Sequence, residues 1–304
     1  MLLKVFSPLH AKEGRSLRKR LRKTPPTALP PREAANVYSS YDIVGNIAIM
    51  RLSRVSQQTP QDFAHAIMYI HKNVKTVLAQ ASPVAGNFRL RHLVHVAGEN
   101  RTTTVHRENG CLFSVDAEKC YFSPRLCHER LRIAKLVEPD ETIVNMFAGV
   151  GCFSIIIAKH VSTAKVFSID VNPAAIKFMR ENIRLNGVYE RVIPLLDDAA
   201  TIIESRLRHT ADRVIMPLPE MALQYLPSAL SALKKSGGWI HYYDFQHAGR
   251  DENPAEKTIM KVTEKLASLN EAFEFPFSRV VRSTGPNWYQ VVLDIRVTRV
   301  PDKF

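Results

Sequence analysis

Asn145-Met-Phe-Ala-Gly-Val-Gly-Cys-Phe-Ser154 lies between two apolar runs, Thr142-Ile-Val144 and Ile155-Ile-Ile-Ala158. The pattern is strand, tight glycine turn, then helix. Gly149 and Gly151 let the backbone approach a ligand where a side chain would clash, and the helix N-terminus presents unpaired N–H groups. A GxG turn alone is common in α/β folds, where it also serves packing. Working outward, Lys165-Val-Phe-Ser-Ile-Asp170 is a second strand. It ends in an acid about twenty residues on, where such folds bind ribose hydroxyls. Asp170-Val-Asn-Pro173 leads into a helix from Ala174 to Leu185, and Val192-Ile-Pro-Leu-Leu196 is a third strand followed by Asp197 and Asp198. Glycine, acid and acid at the ends of three successive strands fit a pocket for S-adenosylmethionine (SAM) better than one for a dinucleotide. Ser154 stands where GxGxxG would place its third glycine.

The chain has 304 residues, enough to bury an α/β core and still carry a smaller module. Lys and Arg number 42 against 29 acids, a net charge of +13 that favours a polyanionic partner. Cys111, Cys120, Cys127 and Cys152 show no C-x-x-C spacing and no paired His motif, so they read as reduced structural thiols of a cytoplasmic protein rather than zinc ligands. No stretch is long and apolar enough for a membrane span or a signal peptide, so no membrane is expected, and the cysteine and histidine spacing suggests no metal.

Three regions are expected: a basic arm with a Pro-rich connector over 1–35, a small α+β module over 36–115, and a larger α/β domain over 116–304. The arm carries Arg15, Arg18, Lys19, Arg20 and Arg22 around Leu17 and Leu21. It suits either RNA contact or a solvated terminus. In the module, Tyr41 to Met50 reads as two strands turned at Gly45-Asn46. Pro60 to Lys72 reads as a helix, and Val74–Ala79, Arg89–Ala97 and Thr102–Glu108 as strands. Alternation then places Arg89 and Arg91 on one strand face, as surface charge or as contacts to phosphate or a base edge.

Cys111 to Val115 is another strand, and Pro124 suits the first turn of a helix reaching Leu136. Glu129 lies among Arg125, Arg130 and Arg132, as a surface ion-pair cluster or as part of a site at the helix start. Arg213-Val-Ile-Met216 is a strand running into Pro217-Leu-Pro219. Trp239 to Tyr243 follows a turn at Gly237-Gly238, and Arg279–Arg282 and Tyr289–Val297 are the last strands. The whole is a Rossmann-like, doubly wound, mostly parallel sheet.

Taken jointly, Tyr121-Phe-Ser-Pro-Arg125, Glu129-Arg130, Asn145-Met-Phe-Ala-Gly-Val-Gly151, Asp170-Val-Asn-Pro173, Asp212-Arg-Val-Ile-Met216 and Ile240-His-Tyr-Tyr243 resemble the archaeal and eukaryotic tRNA (guanine-N1)-methyltransferases that act 3′ of the anticodon. The resemblance covers roughly residues 36 to 300, and its joint pattern is specific where each fragment is not. It implies a class I SAM-dependent enzyme acting on guanosine 37 of tRNA as a monomer, with Arg89 the electrophilic arginine and Glu129 the general base. It also implies that Tyr121, Arg125, Arg130, Phe147, Gly149, Gly151, Asp170, Asn172 and Asp198 surround SAM, and that Arg91, Pro217 and Pro219 face the substrate.

The sequence departs from that family in three places. Asn145 stands where members commonly have Asp, which removes a charge near the cofactor. Pro217 replaces the asparagine of an Asn-x-Pro loop. Prolines there mark a branch that also methylates a carbon of the tricyclic wyosine precursor, so dual activity is an open alternative. The small domain that many archaeal members use to reach the tRNA elbow has no counterpart beyond the basic arm. Aminocarboxypropyl transfer from SAM, as in a sister family, is a second alternative, although that family departs at Tyr121–Arg125 and Glu129. A non-catalytic RNA-binding protein on a SAM fold is the third, supported by Asn145 and Pro217 alone.

Overall fold

The computed structural model describes residues 41–51, 60–86 and 88–299; the arm and connector expected over 1–35 lie outside them. The chain forms two compact units, one running to His106 and taking in Val115–Lys119, the other formed by Arg107–Ser114 and the residues from Cys120 onward.

In the first unit β1 (Tyr41–Val44) and β2 (Ile47–Arg51) make the expected hairpin at Gly45-Asn46. Helix α1 (Pro60–Ile70) carries the chain to β3 (Thr76–Gln80), parallel to β2, and β4 (Leu93–Gly98) closes the sheet in the order β1-β2-β3-β4. Ala64 and Ile67, one turn apart on α1, pack with Ala48, Met50, Val77 and Ala79 of the sheet.

The strand expected over Arg89–Ala97 starts four residues later than its first residue. Arg89 lies instead in a tight turn, with φ +54° and its N–H donating to Gly86 O at 3.0 Å, flanked by an Ala85–Leu90 bridge. Strand alternation therefore does not govern Arg89 and Arg91. Pro83 and Gly86 upstream were the turn signal that an apolar run of Leu90, Leu93 and Val94 obscured.

β5 (Thr103–Glu108) and β6 (Cys111–Asp116) pair as a separate ribbon. In the second unit a 3₁₀ turn (Pro124–Leu126) opens α2 (Cys127–Leu136), and three β-α steps follow. These are β7 (Thr142–Asn145) with α3 (Cys152–His160), β8 (Lys165–Asp170) with α4 (Pro173–Leu185), and β9 (Val192–Leu196) with the short α5 (Ala199–Ile202). After a π turn (Ile203–Leu207) come β10 (Arg213–Met216), α6 (Ala222–Ala232), β11 (Gly237–His247), α7 (Pro254–Ala267), β12 (Ala272–Gly285) and β13 (Trp288–Thr298).

The sheet order is β12-β13-β11-β10-β7-β8-β9. β7 through β11 are parallel, β13 runs antiparallel to β11, and β12 antiparallel to β13. This is the expected doubly wound, mostly parallel sheet. The chain winds out through β8 and β9, then returns to the other side of β7. That reversal opens a crevice at the C-terminal ends of β7 and β10, where α/β sheets bind ligands.

Local signals explain most of these elements. Asn172 caps α4 by accepting from Ala174 N at 2.9 Å, Pro173 follows at N1, and Ile176, Met179 and Ile183 form the buried stripe. The pair Gly237-Gly238 opens β11 and is not a turn before it. A Cβ on Gly237 would sit 2.1 Å from Val297 O, so glycine there permits close strand approach. Helices α6 and α7 were not anticipated. Pro227 sits inside α6 and breaks its pattern, whereas the cap Asn253 and Pro254 before α7 were legible but unused.

Candidate active site

The end expected to take the cofactor is built by the turn after β7. Gly149 and Gly151 have φ +57° and +91°, a region costly for other residues. A Cβ on Gly151 would crowd Met179 Cγ at 2.8 Å. A Cβ on Gly149 would have Tyr121 O as its nearest neighbour at 3.8 Å, so space is open on that side of the backbone. Gly149 N donates to Asp170 Oδ2 at 2.7 Å and Asn172 N to Oδ1 at 2.9 Å. Burial pushes the Asp170 carboxyl up, and these two backbone donors offset only part of that. Asp198 caps α5 through Ala200 N and Thr201 N and accepts from Tyr225 OH. Burial first, then the Asp198 carboxylate, pushes Tyr225 up to about 12. Phe147 meets the Tyr225 ring edge-on at 5.2 Å.

These residues suit SAM. Asp170 and Asp198 retain carboxylate lone pairs for hydroxyl or amino donors, since each oxygen can accept more than one bond. Phe147 offers an apolar ring and the glycine turn an open approach. Asn145 is fully buried in the interior behind the turn. Its Nδ2 donates to Ser154 Oγ at 3.1 Å, and Ser168 Oγ donates to the same oxygen at 2.7 Å. Asn145 Oδ1 has no hydrogen-bond partner among the described residues. Ser154, the residue in place of the third glycine, thus ties α3 to β7 and β8.

Glu129, on the first turn of α2, is not in a surface cluster: its side chain is 1% exposed. Oε1 accepts from Arg132 Nη2 at 2.7 Å, Arg132 Nε at 3.0 Å and Tyr243 OH at 2.8 Å, and Oε2 accepts from Arg279. Burial alone would raise this carboxyl, but the Arg132 hydrogen bond and charge, with Arg279 and Tyr243, hold it below the usual carboxylate range. The cage continues outward. Arg132 makes a two-pronged contact with Asp294 at 2.6 and 3.0 Å, and His241 Nδ1 lies 2.6 Å from the same carboxylate. Arg213 Nη1 lies 2.8 Å from His241 Nε2. An arginine can only donate, so His241 is neutral with its proton on Nδ1, aimed at Asp294. Burial pushes the His241 ring down in agreement.

The other arginines expected around Glu129 have different places. Arg125 is exposed in the 3₁₀ turn. Arg130 is buried, pairs with Glu108 at 2.5 Å and donates to Ser123 O at 2.9 Å, which pins the Tyr121–Pro124 loop. Tyr121 is half-buried beside Gly149 through its carbonyl. Pro217 and Pro219 follow β10 at the crevice, Pro217 half-buried and Pro219 buried. Arg89 and Arg91 belong to the first unit, where Arg91 Nη1 reaches Gln80 Oε1 at 3.4 Å.

Arg279, Asp294 and the place of the neutral His241 behind Asp294 escaped the sequence reading, as did the contact of Arg132 with both Glu129 and Asp294. They come from β12, β13, β11 and α2, and no local spacing joins residues 129, 241, 279 and 294. Among the described residues no group of three or more His, Cys, Asp or Glu is placed to hold a metal, and no helix is long and apolar enough to cross a membrane.

The TRM5/TYW2 methyltransferase domain matches residues 104–271, and the TYW2 N-terminal domain matches 21–102. The chain is 41% identical over 260 residues to the tRNA (guanine(37)-N(1))-methyltransferase Trm5b of Pyrococcus abyssi, covering 86% of this chain and 75% of that one. It is 37% identical to the tRNA 4-demethylwyosine(37)-methyltransferase Taw21 of Saccharolobus solfataricus, over 86% of this chain and 95% of that one. The solved Trm5b of Pyrococcus abyssi superimposes with a TM-score of 0.78 at 39% identity, over 89% and 78% of the two chains. A complex of aTrm5 with tRNALeu gives 0.76 at 35% identity, over 93% and 78%. TYW2 of M. jannaschii in complex with AdoMet gives 0.64 at 26%, over 86% and 100%. The glycine turn with its acids and the caged glutamate therefore sit in a chain that belongs to the TRM5/TYW2 methyltransferase family.

Proposed function

We propose that this protein uses SAM to methylate N1 of guanosine 37 in tRNA. The observation that carries the chemistry is Glu129, a buried carboxylate kept ionised by Arg132, Arg279 and Tyr243. Guanine N1 carries a proton and attacks poorly until it leaves. An ionised Glu129 can accept that proton, and Arg89 would balance the negative charge that then develops on O6. SAM supplies an electrophilic methyl group when bound. Asp170 and Asp198 would hold its hydroxyl and amino donors, with Phe147 and the Gly149–Gly151 turn alongside. Tyr121, Arg125, Arg130 and Asn172 would serve that pocket by shaping its loops. The protein's main contribution is position and exclusion of water. The similarity to Trm5b and to the aTrm5–tRNALeu complex supports tRNA as the partner, and the net charge of +13 agrees.

A second reading rests on Pro217. A proline has neither an N–H nor a side-chain amide to grip the guanine edge, so the loop after β10 holds a base by carbonyls and shape. A larger, tricyclic base would then fit as well. The similarity to Taw21 over nearly that relative's whole length supports the same reading.

The test uses unmodified tRNA with SAM labelled either on the methyl or on the aminocarboxypropyl carbon, followed by nucleoside mass spectrometry. Methyl label on 1-methylguanosine is the expected result. Aminocarboxypropyl label would move the protein to the other chemistry of the family, and label from neither would leave an RNA-binding role.

A further inference from the structure

We infer that Arg279 is a latch on Glu129, occupying the carboxylate oxygen that takes the proton until tRNA phosphate draws the guanidinium away. The inference rests on Glu129 being the general base and deepens that reading.

The two oxygens of Glu129 are held unequally. Oε1 is fixed by Arg132 and Tyr243, and Arg132 is itself locked by Asp294 and stacked over the Phe277 ring at 4.6 Å. Oε2 is held by Arg279. The side chains of Glu129 and Arg132 are 1% and 19% exposed, whereas that of Arg279 is 42% exposed. Arg279 also lies on β12, the strand at the sheet edge. A base needs one carboxylate oxygen to meet the N1 proton. Only Oε2 has a partner that can swing into solvent without dismantling the cage.

The direction of exchange follows from charge. An exposed arginine gains a bidentate, charge-assisted partner in phosphate, and removing it from Glu129 takes away one of two cations that stabilise the ionised form. The groups that face Glu129 are Arg132 on its own helix, Tyr243 on β11, Arg279 on β12, and Asp294 of β13 beyond Arg132, with the neutral His241 behind Asp294. With Arg279 withdrawn, one cation and one phenol remain, and the carboxylate becomes the stronger base. RNA binding and base activation are thereby coupled through one side chain.

The test is Arg279→Gln in the full-length protein, with Glu129→Gln in parallel, following single-turnover methyl transfer and tRNA binding against pH and salt. Arg279→Gln is expected to move the acid limb of kcat/KM to higher pH and to lower the log–log salt slope of tRNA binding by about one. Arg279→Lys is expected to restore the slope in part. If limb and slope both stay at wild-type values, the latch is wrong, and so it is if activity falls while neither moves. The parallel variant separates the two readings. A loss of about a hundredfold in Glu129→Gln with an unmoved Arg279→Gln sinks the latch alone, whereas normal turnover in Glu129→Gln sinks the base on which it rests.

Discussion

Asp170, half-buried, and Glu129, fully buried, are carboxylates of the second unit whose surroundings drive them in opposite directions. Asp170 is met by two backbone N–H groups from its own turn and the neighbouring one, and burial prevails, so its carboxyl is raised. Glu129 is met by two guanidiniums and a phenol from three elements, and the cations prevail. Backbone donors come with a tight turn and need only local sequence. A cation cage requires side chains brought together across the sheet, and it keeps a charge ionised that burial would otherwise neutralise.

The largest effect that can break this contrast is at Asp294, which anchors Arg132 and His241. Asp294→Asn removes the charge from a buried pair and is expected to cost about 3 kcal/mol of stability, read as a lowered denaturation midpoint. Asp170 is expected to matter to the ligand more than to the fold. Asp170→Ala removes an acceptor from the cofactor end and is expected to weaken SAM binding by about ten- to a hundredfold in calorimetry, with a smaller change in stability.

Acid separates the two carboxylates in a single titration. Glu129 and Asp294 are held below the usual carboxylate range, Asp294 because the His241 and Arg132 hydrogen bonds outweigh its burial. Their stability is therefore present at neutral pH, above their unfolded values, and is lost only as pH falls through the depressed folded values. Asp170 is raised, so it takes its proton first. SAM affinity is expected to fall at a pH where circular dichroism still reports an intact fold. Simultaneous loss of both would erase the distinction. The smallest effect is expected at Pro217, where Pro217→Asn shifts methyl transfer toward plain guanosine and away from the tricyclic base by roughly tenfold or less. Equal preference in both proteins would make the proline loop punctuation.

The same contrast explains what the sequence reveals. The turn at Gly149–Gly151, the acid at 170 and the cap at 172 fall within one β-α-β run, and each has a local cause, so the fold class and the local geometry of the proposed cofactor end were legible. The buried state of Glu129 was not. On the sequence it neighbours Arg125, Arg130 and Arg132, but Arg130 turns to Glu108 while Arg132 faces Glu129, and Arg279 arrives from 150 residues away. Arg89 was misplaced for a related reason. An apolar run carried the strand pattern back through a turn whose left-handed residue was not glycine.

Glu129→Gln tests the central claim most directly. The amide keeps the shape and can still accept from Tyr243, but it cannot take the N1 proton as the carboxylate does. Single-turnover methyl transfer to unmodified tRNA is expected to fall by about a hundredfold or more while the SAM dissociation constant stays near that of the native protein. A near-normal rate with normal SAM binding would contradict the account and leave Glu129 as a buried charge that serves the fold.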